Sequence, residues 1–450
     1  MLGDTTQVGM AQGALAPAGK RRPRAARLGA ALAALYALLG AALLTACTGT
    51  AEPGNPVLLI VGQGDAEASE VVLIEDTFAV RGATPDRFAF VAGSARPLPA
   101  PAVAYDVVDR TTTRRELVVL SRGAAQAGSA PAQLTFFALS GLNAANPEAF
   151  TQTRQLELGE LEILPNLPTP SFCPVDVQVT HNGLYAAVLN NPQVCGGNAI
   201  NASVDILDLA GGRLVERVAG GVLPAGLFLN QTPAEDLLLF ATAAPGRINV
   251  QALTMPRPGA TFGPGDSLEQ RALTTLQVRL QQGALQDVGV ASGAPAGGAP
   301  ARLVALFDEA LISVPDYLGA APQPDAPIAT PTGNRQLIRD DTLRTPATLI
   351  LGAPQSNRFT LVPPPQQGAA PVPVNGFVRA EAAVIQESAG AGSGFVYFAS
   401  SLSGAQLSVF DLRGYREGSA LSAVPFAVPE ITQPSFVTWV QAAPSLPSAP

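Results

Sequence analysis

Beyond residue 47 the chain is divided into short apolar runs, and this constrains its fold more than any other feature. Val57–Val61, Val71–Ile74, Leu117–Leu120, Leu134–Leu139, Leu237–Phe240, Leu349–Leu351, Phe395–Phe398 and Leu407–Phe410 are each too short for a helix. Clusters of Gly, Pro, Asn and Asp separate them, drawn from 44 glycines and 41 prolines. Many short strands with frequent turns predict an all-β chain. Hydrophobic residues make up 47% and charged residues 14% of the sequence, which is enough for a packed core and too apolar for a disordered chain.

One segment shows how the strands are grouped. Pro174–Thr180 alternates like a strand, and His181, Asn182 and Gly183 form a turn in which glycine supplies a positive φ. Leu184–Leu189 is a second strand and Val204–Leu209 a third. Gly211 and Gly212 turn the chain into a fourth, Arg213–Val218. Four antiparallel strands in about 45 residues make one blade of a β-propeller.

This segment resembles the YVTN-type repeat of bacterial β-propellers. That family pattern has Thr-Pro-Asp-Gly in the first turn, whereas Thr180, His181, Asn182 and Gly183 stand here. Inner-strand starts resembling Pro174 occur at Pro101, Pro224, Gln286, Pro346, Ala380 and Pro434. The resemblance implies a propeller of seven four-stranded blades over residues 56–441. The N-terminal runs and Phe88–Val91 read as outer strands that lack an inner one. Phe436–Val440 would supply it, closing the ring with strands from both ends and removing exposed edges. Tandem β-sandwiches are the alternative architecture. Trp439, the sole tryptophan, is expected in the core of the closing strand.

The N-terminus reads as an export signal. Lys20, Arg21, Arg22, Arg24 and Arg27 precede an uncharged stretch, Leu28–Leu44, as in a signal peptide. Leu44-Thr45-Ala46-Cys47 follows and resembles the bacterial lipobox. The resemblance implies cleavage of residues 1–46, a lipid-modified Cys47 and a short tether over 47–55. The acyl chains would anchor the protein at about 0.8 kcal/mol per buried methylene. Thr48 in place of Asp implies the outer membrane or cell surface. Met10 is an alternative start to Met1, and 442–450 reads as a flexible tail.

Without residues 1–46 the net charge moves from −8 to −12, and every remaining cation is Arg. An acidic chain with no basic run is unsuited to nucleic acid, where affinity rests on neutralising phosphates. Cys173 and Cys195 are an even pair in an exported chain, so a disulfide is expected. In a propeller blade both would lie on one face.

The chain offers little catalytic chemistry. His181 is the only histidine, which removes His-cluster metal sites and most Ser–His arrangements, and it reads as an exposed turn residue. There is no Gly-x-Ser-x-Gly elbow, phosphate loop or dinucleotide motif, and no cofactor is expected. Glu157, Glu160 and Glu162 alternate like the solvated face of an outer strand. The Pro/Gly-rich stretches Pro256–Gly265, Gly293–Pro300, Pro315–Gly333 and Pro363–Pro373 read as exposed loops. Asp106, Asp176, Asp287 and Glu381 fall on inner strands, where they could line a channel and hold a cation or small ligand. A non-enzymatic lipoprotein that binds an envelope protein or cell-wall polymer is the leading expectation. A lactonase-like hydrolase is the alternative, since some propellers resembling this repeat are lactonases.

Overall fold

A computed structural model describes residues 57–443, apart from 65–68, 78–86, 109–114, 124–130, 166, 168–171, 197–201, 232–234, 257–267, 278–282, 292–300, 339–347, 364–369, 376–378, 388–393, 402–403 and 413–425. The leader 1–46, Cys47, the tether, and the inserts around 257–265 and 293–300 lie outside the described residues or almost wholly so. The described strands all belong to the unit Gly54–Pro450.

The strands form a seven-bladed propeller. Blade 1 is Ala102–Val108, Glu116–Ser121, Gln133–Ala138 and Gln152–Glu157, hydrogen-bonded in that order. Blade 2 runs Pro174–Val179, Tyr185–Asn190, Ala202–Asp208 and Arg213–Val222. Blade 3 is Phe228–Gln231, Asp236–Ala244, Arg247–Met255 and Gln270–Gln277, and its second strand pairs with the last strand of blade 2 at Val222 and Thr242. Blades 4, 5 and 6 begin at Leu285, Asn334 and Ala380 and end at Ala329, Asn375 and Ala427. Blade 7 takes its inner strand, Pro434–Gln441, from the C-terminus, and Val57–Gln63, Glu70–Asp76 and Phe88–Phe90 from the N-terminus. The four strands of each blade pair antiparallel, and the short strand Glu162–Ile163 adds to the edge of blade 2 in parallel, beside Arg213–Leu214. The inner strands touch one another in sequence and return from blade 7 to blade 1, which closes the ring.

Packing explains why the strands are nearly continuous in apolar residues. Both faces of each blade are covered, and successive side chains point to opposite faces. Leu59 and Val61 pack towards blade 6, whereas Leu58 and Ile60 pack towards blade 1. Every pair of adjacent blades encloses its own apolar cluster, so the core is distributed around the ring. Trp439 is buried between blades 7 and 6, and its indole N–H donates to the Ile385 carbonyl at 2.8 Å.

Three expectations need correction. Pro346 itself lies outside the described residues, but the strand that follows it, Thr348–Gly352, is the second of blade 5 and not the expected inner one, which is Asn334–Ile338. The inner strand turns Arg335 and Gln336 to the channel and is therefore polar, while the second is buried on both faces and reads more strongly. Glu157, Glu160 and Glu162 do not share one strand, because a 3-10 turn at Leu158–Glu160 buries Leu158 and ends blade 1. Pro315–Gly333 is not simply an exposed loop. It buries Tyr317 and contributes Ile328–Ala329 to blade 4. At the C-terminus the docked chain extends to Ala442, which is buried, and the Ala443 amide donates to Leu142.

Candidate functional site

The inner strands are short, and most carry a bulge at their second or third residue. The register slips between Ala102 and Ala104, Pro174 and Asp176, Leu285 and Asp287, Asn334 and Gln336, and Ala380 and Ala382. A bulge leaves one residue outside the ladder and re-aims its neighbours. Here the bulged stretches turn towards the axis and, with Pro224 and Gly226 ahead of blade 3 and Ser435 and Phe436 of blade 7, line a cavity of about 280 Å³.

Its wall mixes apolar and charged groups, with Asp106 and Asp176 on the blades that also carry apolar side chains. Val103, Tyr105, Val175 and Phe436 come from blades 1, 2 and 7, with the rings of Tyr105 and Phe436 stacked at 4.6 Å. Gln286, Asp287, Arg335 and Gln336 come from blades 4 and 5, across the ring from blade 1. Gly226 of blade 3 lies between Asp176 and Asp287 with φ +86, and a side chain there would collide with the Asp287 carboxylate. Glycine is required by both the backbone and the space.

The carboxylates act as clamps between blades. Asp176 accepts the amide of Val177 at 2.8 Å through one oxygen and the amide of Leu227, in blade 3, at 2.8 Å through the other. Asp287 accepts from Val288 at 2.8 Å and from Leu337, in blade 5, at 2.9 Å. Asp106 accepts from Val107 at 2.8 Å and from Val179, in blade 2, at 2.6 Å. Gln178 serves the same purpose two residues along from Asp176, accepting from Leu229 at 3.1 Å. The physical cause is general. Inner strands diverge too far from the next blade to share a ladder, so their outward amides need side-chain acceptors. Charge-assisted bonds of this kind are the stronger class.

Three of the four acids expected at the channel thus line it together, and Glu381 does not join them. Its carboxylate lies 3.5 Å from Arg335 and accepts from Ser401 at 3.0 Å, tying blade 5 to blade 6. Burial lowers the Arg335 pKa, and Glu381 opposes the shift. No group of three His, Cys, Asp or Glu side chains among the described residues is arranged to hold a metal ion.

The disulfide joins Cys173 to Cys195 with Cα atoms 5.9 Å apart. Cys173 precedes the inner strand of blade 2 and Cys195 ends the 3-10 turn after its second strand, so the bond borders the wall carrying Val175, Asp176 and Leu189. His181 is exposed in the turn at the other end of that hairpin. Asn182 closes that turn, its side-chain oxygen accepting from the Leu184 amide at 3.0 Å. The sequence did not single out Tyr105, Arg335 or Gln336. Their signal was a polar or aromatic residue at the bulged position of an inner strand.

No protein-family model and no curated protein matches the chain in sequence. Solved structures do match in fold. A functionally unknown protein from Desulfotomaculum acetoxidans is similar over 86% of this chain and 99% of its own, with a TM-score of 0.51 and 10% identity. A protein from Lactobacillus plantarum is similar over 86% and 99%, with a TM-score of 0.50 and 12% identity. Likeness at this identity speaks to the fold alone.

Proposed function

We propose that this chain is a lipid-anchored envelope protein whose propeller works by binding and not by catalysis. The observation that carries the reading is the state of the channel carboxylates. Asp106, Asp176 and Asp287 each accept two backbone amides, one of them from the next blade. A general acid, general base or nucleophile needs its oxygens within reach of substrate, not held by the scaffold. A lactonase-like reaction would have to break the clamps that join the blades. The sole histidine stands on an exposed turn away from the channel.

The anchor rests on the lipobox-like Leu44-Thr45-Ala46-Cys47 behind its basic and apolar segments. Thr48 favours the outer membrane or cell surface. The YVTN-type kinship of blade 2 belongs to the same reading. The partner would be an envelope protein or a cell-wall polymer, engaged by the loops at the faces of the ring, where rigid scaffolds commonly carry recognition.

The test is a crosslinking pull-down of the full chain from native membranes, beside a Cys47→Ser variant. A stoichiometric partner with the wild type, and loss of membrane retention with C47S, is expected. Membrane retention unchanged by C47S would remove the anchor. A clean wild-type bait at high crosslinker would remove the scaffold role.

A further inference from the structure

The direction of the chain through the ring fixes which face holds the cavity and which face the chain enters from its N-terminal side. Val103, Val175, Gln286, Arg335 and Ser435 line the cavity, and each is the second residue of an inner strand. The cavity therefore lies at the end of the ring where the inner strands begin. In blade 7 the closing strand Pro434–Gln441 runs antiparallel to Val57–Gln63. Val57 stands opposite Gln441, the last residue of the closing strand, and Gln63 opposite Pro434, the first. The chain thus enters the propeller at Val57 on the face opposite the cavity and reaches the cavity end only at Gln63.

The lipobox reading puts the acyl chains on Cys47, with residues 48–56 between it and Val57. Such a segment spans about 35 Å when fully extended and about 18 Å when relaxed. To bring the cavity face onto the bilayer, it would have to pass the outer strands of blade 7 and then run the height of the blade. Val57–Gln63 alone rises about 23 Å, and Glu70–Asp76 and Phe88–Phe90 each add about 5 Å outward. That detour takes nearly the whole contour length before any loop or side chain is counted. Holding a chain taut gives up conformational entropy that a relaxed chain keeps. With the opposite face down, Val57 lies on the membrane side and the same segment stays relaxed.

We infer that the anchored propeller turns the face on which its inner strands end towards the bilayer and opens its cavity away from the membrane. This rests on the lipid-anchor reading and adds an orientation to it. The outward face then carries the cavity, the Cys173–Cys195 disulfide at the start of the blade 2 inner strand, and the turn of blade 3 that ends at Arg247. His181, in the turn after that inner strand, belongs to the membrane side. A partner reaches the cavity from the aqueous side, and the headgroups of the anchoring leaflet do not.

The sequence itself supplies a clean label for the test, since its only lysine, Lys20, lies in the leader. Arg247→Lys introduces one amine on an exposed turn at the cavity end, and His181→Lys introduces one on an exposed turn at the opposite end. Each acylated protein, purified from native membranes, is labelled with an amine-reactive donor dye and added to preformed vesicles that carry an acceptor lipid. The wild type supplies the blank for the N-terminal amine. Energy transfer to the vesicle is expected to be at least twofold higher from His181→Lys than from Arg247→Lys. Glu162→Lys and Glu309→Lys, exposed at the membrane-side and cavity ends respectively, replace a variant that fails to fold. Equal transfer, or the reverse order, from vesicle-bound protein overturns the orientation and leaves the anchor standing. Wild-type protein that does not float with the vesicles removes the anchor, and the orientation with it.

Discussion

Asp176 in blade 2 accepts the backbone amide of Leu227 in blade 3 at 2.8 Å, so a carboxylate replaces the ladder bond that two diverging inner strands cannot make. The pair sits 51 residues apart in sequence, about one blade. Asp176→Ala leaves two inner-strand amides without their acceptor. The loss of stability should be about 1–3 kcal/mol for a buried donor left unmet. Thermal melts of D176A and of Asp287→Ala should both fall, with D287A at least as costly because Asp287 is only 6% exposed. A melting temperature unchanged in both variants would show that the clamps contribute nothing.

The ring closes around a second carboxylate. Asp76, in the N-terminal part of blade 7, receives the Arg87 guanidinium at 2.8 and 2.6 Å and the Tyr397 hydroxyl of blade 6 at 2.6 Å. Arg87 also lies 4.3 Å from the Phe395 ring centre. Removing one partner of a buried ion pair strands the other charge, at a cost of about 3–5 kcal/mol. Asp76→Ala should therefore destabilise the protein by that amount and expose blade 7 to protease first. The double variant Asp76→Leu with Arg87→Met should recover most of the loss. Urea titration of the three proteins checks both statements.

The degree to which the fold was legible follows from what each blade buries. Trp439 and the unpaired N-terminal runs pointed to closure by both ends, because apolar strands at a chain terminus need a partner. Blade 2 was readable from its four strands and its turn glycines. Blade 5 was not: its inner strand, Asn334–Ile338, exposes Arg335 and Gln336 to the channel and so lacks the apolar signature. The acids Asp106, Asp176 and Asp287 were found on the right strands, but sequence pattern cannot show where a carboxylate's two oxygens go. That depends on the bulges, which aim residues from strands about 50 to 70 positions apart at one another.

The disulfide should act on blade 2 in particular. Cys173 and Cys195 close a loop of 22 residues, and the Asn191 amide donates to the Cys173 carbonyl at 2.8 Å beside it. Cys195→Ser should lower stability by about 2–4 kcal/mol. Hydrogen exchange should rise at Val177 and Val188 more than at the blade 5 amides. A uniform rise across all blades would instead indicate global unfolding.

Buried tyrosines, Tyr317 and Tyr397 foremost and Tyr185 with them, make stability fall at alkaline pH. Burial pushes the Tyr317 hydroxyl up to about 12, against the opposing influence of Asn230 and Arg271. Burial, reinforced by Asp76, pushes Tyr397 well above the ordinary tyrosine value. Well below pH ~10 these tyrosines are protonated in either state, and their contribution is fully present. Above that, unfolded tyrosines lose protons that the native protein still holds. The unfolded state then binds fewer protons, so stability declines with pH. For Tyr317 the loss should reach about 2–3 kcal/mol by pH 12. Denaturant titrations at pH 9 and pH 12 measure it. Tyr317→Phe should flatten the slope by Tyr317's share and leave that of Tyr397, whereas an unchanged slope would assign the alkaline loss elsewhere.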